Sequence, residues 1–239
     1  MTAIQTRGLC RAYGPHLALD GIDLSLDWGQ TLVVFGPNGS GKTTLVRVLS
    51  GLARPTGGWG AVAGFPLHTH ALEVRRTVGL LTHAPLLYAD LTIWENLLFF
   101  ARMFGVSHAS ERIGILVHRL GLEDRLHHRL RTLSHGLQKR AALARALLHQ
   151  PRVLLLDEPE AGLDAAALST LEQVVREHCA GGGATLITTH QVSWGLALAH
   201  SAVALLKGRL ALTEKHPQAN APAFLTAYQR LVVGQGNEV

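Results

Sequence analysis

Residues 36 to 43 match the phosphate-binding pattern G-x-x-x-x-G-K-[ST] in full. The glycines of this pattern let the backbone curl, so that its N–H groups face phosphate oxygens at the positive end of a helix. Lys42 is then expected to reach the β- and γ-phosphates, and the Thr43 hydroxyl to bind Mg²⁺. The predicted nucleotide-binding residues of this loop are Gly36, Pro37, Asn38, Gly39, Ser40, Gly41, Lys42, Thr43 and Thr44.

A second candidate site is a pair of carboxylates, Asp157 and Glu158, directly after the apolar residues 153–156. By itself, an apolar strand that ends in two acids is usually only a junction between a strand and a loop. Downstream of a complete phosphate-binding loop, the pair predicts catalysis. We expect Asp157 to hold Mg²⁺ and Glu158 to polarise the attacking water as a general base.

The elements that must position these residues follow from the hydrophobic pattern. Short apolar strands alternate with helical segments, which favours a parallel sheet covered on both faces, and residues 92–135 form a helical insert. The last residues, 215–239, are weakly patterned, and no role is assigned to them. Strands are predicted at 3–9, 21–26, 31–35, 60–63, 78–81, 153–156, 184–188 and 202–206, and further helices at 42–49, 137–148, 165–179 and 192–199.

Composition bounds the function. Of the 239 residues 47% are hydrophobic and only 16% are charged, which indicates a globular chain with apolar surface for a partner. Two cysteines, Cys10 and Cys179, exclude a disulfide framework or a cysteine-based zinc site. No run of 18 uncharged apolar residues and no secretory signal is present, so a soluble or peripheral protein is expected. Residues 119–152 are strongly basic, which fits a nucleic acid, an anionic membrane, phosphate ligands or a solvated helix face.

In combination, these motifs resemble the ATP-binding subunits of ABC transporters. The resemblance covers residues 3–210 and rests on four motifs in order: the phosphate-binding loop, a signature beginning Leu133-Ser134, the Asp157-Glu158 strand, and His190. It implies the α/β fold of P-loop NTPases in its ABC form, with a parallel-sheet core, a small antiparallel β subdomain and the helical insert. It also implies one ATP-binding domain over residues 1–214, a short tail at 215–239, and Mg²⁺ as cofactor.

The same resemblance assigns roles to single residues. It implies that Tyr13 stacks on adenine, that Asp164 belongs to the D-loop at a dimer interface, and that His190 contacts the γ-phosphate. Lys42, Glu158 and His190 would then be the catalytic residues.

The signature occupies residues 133–138, with the sequence LSHGLQ where the family has LSGGQ. The resemblance implies that it contacts the ATP of a second subunit in a head-to-tail dimer of identical copies. His135 replaces a glycine and Leu137 replaces a glutamine. Both replacements are expected to weaken the contact of the signature with the ATP of the second subunit. The predicted contact residues are Ser134, His135, Gly136 and Leu137.

His83 stands where the family has its Q-loop glutamine. Residues 82–88 (THAPLLY), followed by 90–92 (DLT) and 95–97 (ENL), resemble the ATP-binding subunit of the cytochrome c maturation heme exporter. This resemblance implies membrane subunits that handle heme and dock beside residues 83–91, at the cytoplasmic face of the membrane. The ATPase subunit of another ABC exporter remains an alternative.

Two other classes of protein are weighed against a transporter subunit. A nucleic-acid-bound ABC protein is suggested by the basic segment, but the chain has one phosphate-binding loop and only 91 residues between Lys42 and Ser134, so no nucleic acid is expected. A scaffold that closes on ATP without turnover is suggested by His135, Leu137 and His83. The intact Glu158 and His190 argue against it.

Overall fold

The computed structural model describes residues 2–234, which form two β-sheets and eight α-helices. The strands are β1 (Thr2–Tyr13), β2 (His16–Asp27), β3 (Thr31–Phe35), β4 (Gly57–Val62), β5 (Phe65–Pro66), β6 (Val78–Leu81), β7 (Val153–Asp157), β8 (Ala184–Thr189), β9 (Ser201–Leu206) and β10 (Arg209–Glu214). The helices are α1 (Lys42–Leu49), α2 (Ala71–Thr77), α3 (Ile93–Phe104), α4 (Ala109–Arg119), α5 (His135–Leu147), α6 (Ala165–Ala180), α7 (Val192–Leu198) and α8 (Ala221–Gly234).

The larger sheet has the order β10-β9-β3-β8-β7-β6. All its neighbouring strands are parallel except β10, which pairs antiparallel with β9. Strands β3, β7 and β8 are buried along their whole length, as expected for largely apolar strands in a sheet covered on both faces. The predicted parallel-sheet core is therefore confirmed.

The smaller sheet, β2-β1-β4-β5, is antiparallel and packs over α1. One core cluster joins it to α1 and to one face of the larger sheet, through residues such as Leu9, Leu45 and Val34. The opposite face, with Val33 and Phe35, packs against helices α3 to α8. Helix α1 and the loop before it are thus held between the two sheets.

The helical insert begins with a complete capping box. The Thr92 hydroxyl accepts a hydrogen bond from the Glu95 N–H at 3.1 Å, and the Glu95 carboxylate accepts one from the Thr92 N–H at 2.8 Å. Helix α3 ends at Gly105, whose left-handed backbone favours glycine. After α4 the chain forms two short 3-10 turns, at Glu123–Arg125 and Leu130–Thr132. The helical pattern predicted from residue 92 onward is therefore interrupted before α5.

The segment after residue 214, to which the sequence assigned no role, contains α8. Phe224 is only 3% exposed, and its ring centroid lies 5.4 Å from that of Phe35 at the end of β3. Tyr228 is also buried in this cluster. The described part of the segment therefore belongs to the same core as the preceding residues, whereas 235–239 of the predicted tail lie outside the described residues.

None of the helices within residues 2–234 is long and apolar enough to cross a bilayer.

Candidate nucleotide site

The loop between β3 and α1 has the curled backbone that its sequence predicts. Gly41 has φ +109°, and a Cβ atom at this position would lie 2.5 Å from the Ala18 carbonyl oxygen. Any larger residue is therefore excluded by both conformation and space. Helix α1 begins at the next residue, so its free N–H groups point back toward the loop.

Lys42 is held inside this curl and is only 4% exposed. Its ammonium donates hydrogen bonds to the carbonyl oxygens of Gly36 at 2.7 Å and Pro37 at 3.1 Å. The Nζ atom also lies 3.4 Å from Oε1 of Glu158. The loop and the end of β7 are thus joined by a buried cation beside a carboxylate.

A cavity of about 410 Å³ opens over the loop and collects residues from distant parts of the chain. Tyr13 comes from the end of β1, His83 from the segment after β6, and Glu158 from the loop after β7. Two lining residues, His16 and Ala18, were not predicted from the sequence; His16 pairs with Tyr13 across the β1–β2 turn. The lining residues are Tyr13, His16, Ala18, Asn38, Gly39, Ser40, Gly41, Lys42, Thr43, Thr44, His83, Asp157 and Glu158.

The two carboxylates after β7 have different surroundings. Asp157 is buried and accepts a hydrogen bond from the Thr188 hydroxyl. Glu158 turns away with φ +47°, and its side chain is partly exposed in the cavity. The exposed His190 lies beside the cavity, with Nδ1 3.8 Å from the Glu158 carboxylate.

The donor atoms fit Mg²⁺ bound together with phosphate. The Thr43 hydroxyl and the Asp157 carboxylate line the same cavity, and hard oxygen donors of this kind hold Mg²⁺ alongside substrate phosphates and water. No group of three or more His, Cys, Asp or Glu side chains among residues 2–234 could hold a metal ion.

Comparisons with known proteins now decide the family. The family model described as "ABC transporter" matches residues 19–161, which include the phosphate-binding loop and the Asp157-Glu158 pair. The chain belongs to the ABC transporter family.

Two curated relatives show how far this similarity extends. "Nod factor export ATP-binding protein I" of Cupriavidus metallidurans is 38% identical over 193 residues, which are 80% of this chain and 64% of the relative. "Uncharacterized ABC transporter ATP-binding protein YdbJ" of Bacillus subtilis is 33% identical, over 95% of this chain and 78% of the relative. The chain spans a little under two thirds of the length of the Nod factor export relative from Cupriavidus metallidurans.

Solved structures agree on the fold. "Structure of ATP binding subunit of ABC transporter" superposes with a TM-score of 0.86 at 27% identity, and covers 93% of this chain and 94% of that one. A dimeric ATP-binding cassette in a post-hydrolysis state, bound to ADP and Pi, superposes with a TM-score of 0.81 at 23% identity, covering 89% and 98%. The predicted ABC ATPase fold is confirmed.

The residues predicted to form the signature, 134–137, do not line the nucleotide cavity. Ser134 caps α5, and its hydroxyl accepts a hydrogen bond from the Leu137 N–H at 3.4 Å. A Cβ atom on Gly136 would lie 3.1 Å from the Gly162 carbonyl oxygen, so the signature and the D-loop approach closely. His135 lines a separate cavity of about 590 Å³ that it shares with His83. Leu137 is half-buried against the helical core.

Asp164 of the D-loop caps α6. Its carboxylate accepts a hydrogen bond from the Ala167 N–H at 2.8 Å and lies 3.4 Å from the Arg140 guanidinium on α5. The D-loop and the signature helix are therefore tied together on one face of the cassette.

The cassette also carries an apolar groove of about 510 Å³ between α2, α3 and α5. Its lining includes the exposed side chains of Leu52, Leu72, Leu86 and Met103, and its rim includes Arg75 and Arg76. At its base, burial lowers the pKa of the Arg145 guanidinium to about 10 and that of His149 to about 4. Arg145 of the basic segment therefore faces the interior, where it donates a hydrogen bond to the Leu80 carbonyl oxygen at 2.5 Å.

Proposed function

We propose that the chain is the ATP-hydrolysing subunit of a membrane ABC exporter and acts as a head-to-tail pair of identical copies. The observation that carries this proposal is the separation of two half-sites. The phosphate-binding loop, Asp157 and Glu158 share one cavity, whereas Ser134 and His135 are exposed and do not line it. A complete site then requires the signature of a second copy.

The residues of the cavity divide the reaction among them. Lys42 and the N–H groups at the start of α1 bind the phosphates, and Tyr13 contacts the adenine ring. Thr43 and Asp157 would hold Mg²⁺, which would supply neutralisation of the phosphate charge. Glu158 accepts the proton of the attacking water, and His190, beside Glu158, contacts the γ-phosphate. His83, which lines both the nucleotide cavity and the signature cavity, takes the Q-loop position.

A dimer of two differently substituted copies tests the head-to-tail arrangement, because only one of its two ATP sites is functional. We call it the dimer with one repaired site. Glu158→Gln removes the general base of one copy, and Ser134→Arg blocks the signature of the other. The two chains carry different affinity tags, are co-expressed, and are purified on both tags in turn. One of the two sites then combines an intact Glu158 with an intact signature. We expect about half of the parent turnover per dimer, whereas pure dimers of either variant are inactive.

The matched control places both substitutions in one chain and pairs it with an unmodified chain. No site of this dimer contains both an intact Glu158 and an intact signature, so we expect it to be inactive. If each chain hydrolysed ATP by itself, the two results would be exchanged: the control would keep its activity and the first pair would lose it. That exchange would overturn the proposal.

The partner at the membrane is proposed to dock in the apolar groove. The groove exposes the side chains of Leu52, Leu72 and Met103, which a partner would cover, and it adjoins the segment 83–91 and helix α3. The chain would then lie at the cytoplasmic face of the membrane.

The basic segment gives no separate reason to propose a nucleic acid, since Arg140 and Arg145 are engaged within the fold.

Two substrates are proposed for the exporter. The Nod factor export relatives support an exported molecule of that kind. The segment 82–91, with His83 in the nucleotide cavity, supports the heme exporter of cytochrome c maturation as a second candidate. The chain purified with its membrane subunits distinguishes them, because the ATPase rate of the complex should rise with the true substrate. Hemin and a Nod factor are added separately, and no response to either would exclude both.

A further inference from the structure

Lys139 connects the signature helix to the loop that carries Glu158. It lies on α5, just beyond the signature, and its side chain is half-buried. The ammonium donates hydrogen bonds to the carbonyl oxygens of Glu158 at 2.6 Å and Ala161 at 2.9 Å. One cation therefore holds both ends of the loop 158–161.

This loop has a conformation that needs support. Glu158 has φ +47°, in the left-handed region that residues other than glycine rarely adopt. Such a conformation persists when its surroundings fix it. The Glu158 N–H donates to the Thr188 carbonyl oxygen at 2.9 Å, and Lys139 binds the carbonyl of the same residue. The peptide groups on both sides of the Glu158 side chain are thus held.

The charges around Lys139 fit a cation that supports the loop 158–161. Burial lowers the pKa of its ammonium, and the carboxylates of Glu160, Glu158 and Asp157 oppose that shift. Glu160 is only 4% exposed and accepts a hydrogen bond from the Thr189 hydroxyl, which in turn accepts one from the Gln191 N–H at 2.9 Å. The far side of the loop is therefore joined to the turn that carries His190.

We propose that Lys139 is a positioning residue that aims the Glu158 carboxylate of its own chain into the nucleotide cavity. The proposal rests on the proposed function, in which Glu158 is the general base. It adds that the signature helix of each copy fixes the base of that same copy, although the signature itself serves the site of the partner.

The dimer with one repaired site separates the two roles of α5. Lys139→Met is placed either in the chain that supplies the intact Glu158 or in the chain that supplies the intact signature. In the first chain we expect kcat to fall roughly 10-fold to 100-fold, because a base that is displaced by a fraction of an ångström loses much of its effect. KM for ATP should stay within about twofold, since Lys139 does not line the nucleotide cavity. In the second chain kcat should be unchanged.

Three further variants keep the result interpretable. Lys139→Arg retains the positive charge and should recover most of kcat. Lys139→Gln retains a hydrogen-bond donor without charge, and should give an intermediate rate if Lys139→Met does not fold. Lys215→Met removes an exposed lysine elsewhere and should have no effect.

Equal losses of kcat with Lys139→Met in either chain would overturn the proposal, because they would indicate damage to α5 as a whole. An increase in KM with unchanged kcat would overturn it too. If the dimer with one repaired site is inactive, the proposed head-to-tail function fails. In that case the role of Lys139 is tested in protein whose copies all carry Lys139→Met. An unchanged single-turnover rate of ATP hydrolysis at saturating ATP would exclude the positioning role.

Discussion

At the scale of single residues, neighbouring side chains in this protein have very different environments. Asp157 completes β7 and is buried against the Thr188 hydroxyl, whereas Glu158 leaves the strand in a left-handed conformation and extends into the cavity. This change of direction lets two adjacent carboxylates take different tasks. One can serve Mg²⁺ and the other can serve water, as the proposed mechanism requires.

His149 gives a residue-scale prediction for stability. It stacks on Phe104 with ring centroids 4.1 Å apart, and burial lowers its pKa from 6.5 to about 4. Below pH 6.5 the unfolded chain binds a proton at this residue that the folded protein does not bind, so stability falls as the pH drops toward 4. The part of the loss between pH 7 and pH 5 that comes from His149 should be about 1–2 kcal/mol.

Urea unfolding of the parent and of His149→Gln at both pH values measures this contribution. The variant should lose less stability between pH 7 and pH 5 than the parent. His128→Gln, at an exposed histidine, is the control and should follow the parent. If the free energy of unfolding fell equally between pH 7 and pH 5 in the parent and in His149→Gln, the prediction would be contradicted.

At the scale of elements, one helix serves several purposes. The first turn of α5 carries the signature, the next contacts the Glu158 loop through Lys139, and the remainder is buried in the core through residues such as Leu143. The groove that we propose for the membrane subunit lies along the same helix, between α2 and α3. Helix α5 therefore contacts the proposed docking groove, carries the signature and holds the loop of the proposed general base.

The proposed docking groove is tested by a charge on its wall. Met103 is 58% exposed in the groove, so Met103→Glu should leave folding and ATP binding intact but place a charge against an apolar partner. We expect at least a tenfold loss of binding to the membrane subunits, which corresponds to about 1.4 kcal/mol. Retention of the chain on membranes that contain those subunits measures it.

Ile115→Glu provides the control, because Ile115 is 53% exposed on α4 and does not line the groove. This substitution should leave membrane retention unchanged. Equal retention of the two variants would exclude the groove as the docking surface.

At the scale of the whole molecule, the nucleotide loop is supported from both faces of the larger sheet. Helix α1 is enclosed between the sheets on one face. On the other face, Phe224 and Tyr228 of α8 pack under Phe35, the residue directly before the loop. The last described helix therefore stabilises the strand that presents the first residues of the site.

Removal of one ring tests this support. Phe224→Ala should lower the free energy of unfolding by about 3 kcal/mol, because it deletes a fully packed aromatic side chain from the core. Chemical denaturation measures the loss. Gln229→Ala, on the exposed side of α8, should change stability by less than about 0.5 kcal/mol. A similar small effect at Phe224 would mean that α8 does not contribute to the core.

The sequence by itself determined the parts of the protein that depend on local rules. The glycines before Lys42 specify a curled loop, apolar runs specify buried parallel strands, and the hydrophobic pattern specifies a helical insert that begins near residue 92. These features depend on the conformations that a few adjacent residues allow, so their residue types and spacing were enough to predict them.

The tertiary structure decided which distant residues meet. Only the packed sheets bring Tyr13, His16 and His83 around one cavity, and only the fold places Lys139 against the Glu158 loop. Helix α8 was missed although it is mostly apolar and Phe224, Tyr228 and Val232 recur at helical spacing. What the local pattern did not give was the partner of this face, Phe35, which lies far away in the chain. Contacts between residues that are far apart in the chain depend on the geometry of the whole core, which no local pattern specifies.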